Sequence, residues 1–303
     1  MSAWLNLAAR AVRAAPAPER LKSGVWRRIA RGREGRGYVY PVRWRGVAGA
    51  YGGVCGYSDQ ALLSDFDSYE PGSVAVVGRL LRGRRQPVVL DVGAHGGAWL
   101  FLLKAMAPDA VVHAFEPFPA LAAFLHVLVE RNGWSDVAIT SSLVGAAPGE
   151  GDLHFAAGAA DCASTVPDFQ AAYTERLRVP RVALDDYAAS RGLTDIALVK
   201  IDVEGGELEV LEGARRTLAR LHPPLLLELL FTSNPEHARR QQEAVALLRR
   251  EDYAFFQIQP DGRLIEQDVV RPDERYEALN YLVTATPEAP AAHELVRYAS
   301  RGS

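Results

Sequence analysis

From Val88 onward, short apolar runs alternate with stretches of helical periodicity, the pattern of a parallel sheet with crossover helices. Strands are expected at Val88–Val92, Val111–Phe115, Val137–Ser141, Ile196–Ile201 and Pro224–Leu230. Helices are expected over Ala98–Ala107, Pro119–Asn132, Glu207–Leu221 and Glu236–Arg250, the third with a stripe of Leu208, Leu211, Ala214, Leu218 and Leu221. Runs near Phe255–Gln259 and Leu279–Thr284 suit an antiparallel edge. The rhythm breaks in the middle, where Leu153–Ala156 reads as an extra strand or hairpin and Asp161–Arg178 as irregular, before it resumes at Val182–Ala189. The fold class is therefore α/β, a doubly wound Rossmann-like sheet with an antiparallel edge.

Upstream of Val88 the pattern is looser. Tyr38–Trp44 alternates like a strand, the sequence GGVCGYSD is a turn-rich link, and Ser73–Leu81 reads as a helix ending near Gly83. At the start, Trp4, Leu5, Leu7, Ala8, Ala11 and Val12 recur at helical spacing. The chain divides on this reading into an N-terminal arm (1–45), a lead-in or lid segment (46–87) covering one side of a cofactor pocket, a core (88–286) and a C-terminal tail (287–303).

Charge sharpens that division. Residues 1–45 hold 11 Lys and Arg against 2 acids, whereas the remainder holds 23 against 35. The arm is thus a basic extension on an acidic body. A helix docked on the body of its own or a neighbouring subunit is favoured for it, which would make a homo-oligomer. Peripheral contact with a membrane is the second reading. No nucleic-acid partner is expected, because the body is acidic and carries no recognition module.

The 303 residues are 49% hydrophobic, ordinary for a globular protein and enough for a sizeable core. No apolar run approaches the roughly 18 residues of a membrane span. Arg10 and Arg13 interrupt the stretch where an export signal needs its apolar core. Cys55 and Cys162 form no C-x-x-C and the seven histidines no H-E-x-x-H, so no metal centre is expected and a reducing cytoplasm fits.

Candidate chemistry begins at VVLDVGAHGG, residues 88–97, where a strand runs into Asp91 and a glycine turn before a helix. A dinucleotide fingerprint needs a second glycine two residues after Gly93, and His95 stands there. The second strand ends in HAFEP, which sets Glu116 nineteen positions after Gly97, where a carboxylate accepts from ribose hydroxyls. This supports an adenosine-bearing cofactor without choosing its kind.

The fourth strand, ALVKIDVEGGELEVLEGA, puts Lys200, Asp202 and Glu204 on one face if its alternation continues. Three charges at the carboxyl end of a central strand are costly unless they pair or face a cleft. Glu228, inside PPLLLELL, is a further acid in apolar company.

These stretches together resemble the FkbM family of S-adenosylmethionine-dependent class I methyltransferases: VVLDVGAHGG, HAFEP, VALDDYAASRG, LVKIDVEGGELEVLEGA and PPLLLEL follow in that order. The likeness covers roughly residues 60–285 and leaves out the basic arm; His95 departs from the Asn usual there. The resemblance implies S-adenosyl-L-methionine as cofactor and O-methylation of a hydroxyl on a small natural product, sugar or glycolipid. The expected cofactor contacts are Asp91, Gly93, His95, Gly97, Glu116 and Pro117. The expected catalytic cluster is Asp202, Glu204, Lys200 and Glu228, with Asp202 or Glu204 the base. The acceptor pocket is expected from residues 38–80 and 158–180. A nucleotide-dependent oxidoreductase on the same fold, or a non-catalytic scaffold, are the alternatives.

Overall fold

Val88–Val92 forms a central strand of an eight-stranded sheet. The computed structural model describes residues 3–17, 19–55, 57–58, 66–156, 159–167, 169, 173–230, 234–270 and 278–285. In chain order the elements are α1 (Ala3–Ala14), α2 (Glu19–Ala30), β1 (Gly37–Trp44), β2 (Val47–Val54), α3 (Pro71–Leu81), β3 (Val88–Val92), α4 (Ala98–Met106), β4 (Val111–Phe115), α5 (Pro119–Asn132), β5 (Val137–Thr140), β6 (Leu143–Val144), β7 (Gly149–Ala156), β8 (Ala159–Ser164), β9 (Glu175–Val182), α6 (Leu184–Ser190), β10 (Leu198–Ile201), α7 (Glu207–Glu212), α8 (Arg215–Leu221), β11 (Leu225–Leu230), α9 (Pro235–Arg250), β12 (Tyr253–Ile258), β13 (Leu264–Gln267) and β14 (Ala278–Ala285). The expected tail, 287–303, lies outside the described residues, as do 56, 59–65, 158, 168 and 170–172 of the expected acceptor segments.

The sheet order is β13-β12-β14-β11-β10-β3-β4-β5. Strands β11, β10, β3, β4 and β5 pair in parallel, and β14 and β13 join antiparallel at the edge. The chain starts at β3, builds outward through β4 and β5, then returns to the other side of β3 with β10 and β11. The switch point lies between β3 and β10, where open sheets of this kind take ligands at the strands' carboxyl ends. Alternation buries both faces: Val89, Val112, Leu198 and Leu226 enter one core cluster, and Leu90, Val199, Leu225 and Leu227 the other.

Three expectations change. Asp161–Arg178 is not irregular throughout, since β8 and β9 belong to a four-stranded sheet of order β6-β9-β7-β8. The alternation in β9 is masked by Arg176, Arg178 and Pro180, yet Val179 is buried, and Arg178 faces Asp152 across the ladder. The single helix expected over Glu207–Leu221 breaks into α7 and α8 at Gly213, where a Cβ would stand 2.1 Å from the Gly145 carbonyl oxygen. The N-terminal region holds two helices, and the strand expected at Tyr38–Trp44 is one arm of the β1–β2 hairpin.

Helix α1 buries Leu5, Ala9 and Val12. Asn6 Oδ1 accepts from the Val39 N–H of β1 at 2.8 Å, and the Trp26 ring of α2 stands edge-on to Tyr38. The arm therefore packs on its own chain. No helix among the described residues is long and apolar enough to cross a membrane.

Candidate active site

A cavity of about 280 Å³ opens at the carboxyl edge of the switch point. Its floor is the β3–α4 turn (Val92 to Gly96, with Ala98 and Trp99), one wall is Phe115, Glu116 and Pro117 after β4, and another is Lys200, Asp202, Val203, Glu204 and Gly206 after β10. Ser142 to Val144, Leu153, Ala163 and Thr165 line it from the smaller sheet, and Tyr69 from the segment before α3.

The turn is shaped by close approach. Gly93 has φ +86°, and a Cβ there would lie 1.8 Å from the Asp202 carbonyl oxygen, so only glycine lets the turn run against the end of β10. His95 takes φ +47°, left-handed backbone that Asn and His enter more readily than most residues. The Asn-to-His departure thus keeps the conformation. His95 Nε2 donates to the Tyr57 carbonyl at 3.0 Å. Glu204 is also left-handed, at φ +53°. β10 ends at Ile201, so Glu204 reaches the cavity from a turn and not by strand alternation.

The amide hydrogens of this turn are largely spent. The Gly93 and Ala94 N–H groups donate to the Phe115 carbonyl, His95 N–H donates to Glu116 Oε2 at 2.8 Å, and Gly97 N–H donates to the Ala94 carbonyl. Glu116 Oε1 accepts from the Phe118 N–H, also at 2.8 Å. Burial pushes the Glu116 carboxyl up to about 7 against those two donors. Each oxygen keeps acceptor capacity for a hydroxyl in the cavity.

The second cluster is built around one cation. Lys200 is 4% exposed, and its Nζ lies 3.1 Å from Asp202 Oδ2 and 3.7 Å from Asp91 Oδ1. Burial opposes its charge, but Asp202, Asp91 and Glu70 more than offset it and raise its pKa. Burial alone would push Asp202 up; Lys200 and a hydrogen bond from Glu228 outweigh it and hold the carboxyl below the usual range. Glu228, on the neighbouring parallel strand, is pushed up to about 10 by the Asp202 charge and by burial. The pair therefore carries one proton, on Glu228.

Three expected site residues do not line the cavity. Asp91 is fully buried behind Lys200, whose ammonium it helps to balance. Gly97 serves packing: at φ +80° its missing side chain leaves room for Leu125 and Leu128 of α5. Glu228 lies behind Asp202 and donates a hydrogen bond to it. Gly93, His95, Glu116, Pro117, Lys200, Asp202 and Glu204 all line the cavity.

Sequence reasoning missed Tyr69, Glu70 and Trp99. Glu70 takes φ +41° at the start of α3, and its carboxyl accepts from Trp99 Nε1 at 3.2 Å and from Asn280 Nδ2 at 3.3 Å. Burial raises its pKa. This carboxyl ties α3 and β14 to the cavity wall that Trp99 forms. The one sequence signal was an acid directly before Pro71, at a helix start.

The family profile described as "Methyltransferase FkbM domain" matches residues 91–255. A 2-O-methyltransferase, NoeI, of Sinorhizobium fredii is 26% identical over 152 residues, covering 44% of this chain. The chain spans only 60% of the length of that curated relative. Among solved structures, the FkbM methyltransferase of Methylobacillus flagellatus aligns at 19% identity and TM-score 0.43, over 73% of this chain and 51% of its own. An O-methyltransferase from Bacillus cereus, solved with SAH, aligns at 10% identity and TM-score 0.41, over 72% and 80%.

Proposed function

Since this chain belongs to the FkbM methyltransferase domain family, we propose that it transfers a methyl group from S-adenosylmethionine to a hydroxyl oxygen of a sugar, glycolipid or small natural product. The observation that carries this reading is the polarity of the cavity. Among the described residues Glu116, Asp202 and Glu204 line it, no arginine does, and its Lys200 is already engaged by two carboxylates. Such a wall favours a cationic sulfonium and repels a pyrophosphate. That disfavours the oxidoreductase alternative, and the charged cluster disfavours an inert scaffold.

The residues present suit the donor. Glu116 would accept from the ribose hydroxyls, with Pro117 and the apolar Leu143 and Val144 near the nucleoside end. The β3–α4 turn with His95 would bound the methionine end. S-adenosylmethionine brings the activated methyl group. What the protein must add is alignment of the acceptor oxygen, exclusion of water and removal of one proton. Asp202 would take that proton: its side chain is 25% exposed toward the cavity, and Lys200 keeps it ionised and in place. Glu228 would hold Asp202 from behind by donating its own proton. Tyr69 and Trp99 would close the acceptor side.

Transfer of labelled methyl groups onto a panel of sugars and glycolipids tests the reading. A base-stable methyl ether on the product carries it. Label on nitrogen or carbon alone would contradict it.

A further inference from the structure

Helix α1 is apolar on more of its circumference than the fold uses. It buries Leu5, Ala9 and Val12, but Trp4 is 52% exposed and Leu7 65%. On α2, Leu21 is 62% exposed and Val25 47%. Elsewhere among the described residues the large apolar side chains this exposed are the scattered Val47, Ile265 and Val269. Leu5, Val12, Trp26 and Ala30 all enter the same core cluster, so both helices dock through their buried side and turn Trp4, Leu7, Leu21 and Val25 to solvent. A concentration of exposed apolar side chains on one face marks an interaction surface.

The rim of that face is basic. Arg27, Arg28 and Arg31 are exposed at the end of α2, and the Arg33 guanidinium lies 5.0 Å from the centroid of the Trp4 ring. The nearby Glu34 is turned back onto the Gly32 N–H. The platform is held in place: Lys22 Nζ donates to the Arg13 carbonyl at the end of α1, and Asn6 fixes α1 to β1. Exposed Trp, Leu and Val among arginines, on helices already docked through their other face, are the features of an interfacial amphipathic surface.

We propose that the outward face of the α1–α2 pair lies on an anionic lipid bilayer, with Trp4, Leu7, Leu21 and Val25 in the headgroup boundary and the arginines against the phosphates. A second copy of the chain fits less well. Pairing the face with itself would bring the arginines of both copies into one interface, and among the described residues the acidic body offers no matching cluster of exposed apolar side chains. The proposal does not depend on the methyl-transfer reading.

The test is flotation of the full chain with vesicles of phosphatidylcholine and phosphatidylglycerol in equal parts, against vesicles of phosphatidylcholine alone. The protein should float with the first, detach as salt screens the charges, and bind the second weakly. Leu7→Ser with Val25→Ser should weaken binding by about tenfold, and Arg28→Gln with Arg31→Gln by roughly the same. All four positions are exposed, so circular dichroism and melting should match wild type. Brominated lipid should quench a fluorescence component that Trp4→Phe removes. No flotation with anionic vesicles would overturn the proposal, as would binding indifferent to both double variants or a bound Trp4 that bromine does not reach. So would a dimer that Leu7→Ser dissociates in a protein that ignores vesicles.

Discussion

Lys200 Nζ lies 3.1 Å from Asp202 Oδ2 at the carboxyl end of β10, close enough to hold that carboxylate ionised in a largely buried wall. The relationship assigns different protonation to two neighbouring acids. Asp202 keeps its charge because the cation is beside it, and Glu228 on the next strand keeps the proton because Asp202 is charged. A base should be ionised and face the acceptor, and of the two only Asp202 lines the cavity.

Asp202→Asn should therefore lower turnover by about 10²–10⁴ while S-adenosylmethionine affinity stays near wild type. Glu228→Gln retains a donor toward Asp202 and should cost no more than about tenfold. With S-adenosylmethionine saturating, the wild-type rate should show no loss on acidification until below the usual aspartate range, because Lys200 holds Asp202 ionised there. Rate measurements on the two variants and a pH profile check this. If Asp202→Asn lowers only the melting temperature, Asp202 is a strand-end partner of Lys200 and not the base.

Glu116 gives a pH dependence of stability with a definite sign. Its folded pKa is raised to about 7 from an ordinary 4.5, so the folded state binds the extra proton. Stability from this group is full below about pH 4.5 and is lost as pH rises through about 7, an effect on the order of 3 kcal/mol. Melting curves of wild type and Glu116→Gln at several pH values should show the wild type losing more stability over that window. S-adenosylmethionine should bind more tightly to wild type as pH rises through the same window, since the ionised carboxylate is the better acceptor.

Tyr69 lines the cavity from outside the sheet, and burial foremost, with the nearby Glu70 and Asp202 charges, raises its pKa. Its hydroxyl therefore stays neutral and can donate to an acceptor substrate. Tyr69→Phe should raise KM for the acceptor by roughly 2- to 10-fold and leave S-adenosylmethionine affinity unchanged. Steady-state kinetics with calorimetry on the same variant separates the two.

Lys200 lies between Asp91 and Asp202, so its ammonium already neutralises these carboxylates. Turnover should accordingly survive chelation. Activity abolished by EDTA and restored by magnesium would show that the carboxylates hold a metal in the working enzyme.

The parallel core is legible in the sequence because its signals are local. β3 and β4 are single apolar runs, and the spacing from Gly97 to Glu116 follows from one helix and one strand. Asp91 is harder to read. Chain position places it at a strand end, but only packing shows that Lys200 covers it and the cavity lies beyond. Glu70 and Trp99 join through a contact that bridges α3 and α4 and depends on tertiary placement. The stripe on α1 shows the limit of periodicity. It finds an apolar helix, yet Ala9 is buried while Trp4 and Leu7 face outward, a choice made by the shape of β1.

The acidic cavity at the β3–β10 switch point should take an adenosine-bearing sulfonium. Calorimetric titration of the full chain with S-adenosylmethionine, its demethylated product and NAD tests it most directly. Both S-adenosyl compounds should bind, NAD should give no heat of binding, and Glu116→Ala should weaken the S-adenosyl compounds by about 1.5–3 kcal/mol. Binding of NAD with no response to S-adenosylmethionine, or an unchanged affinity in Glu116→Ala, would contradict the account.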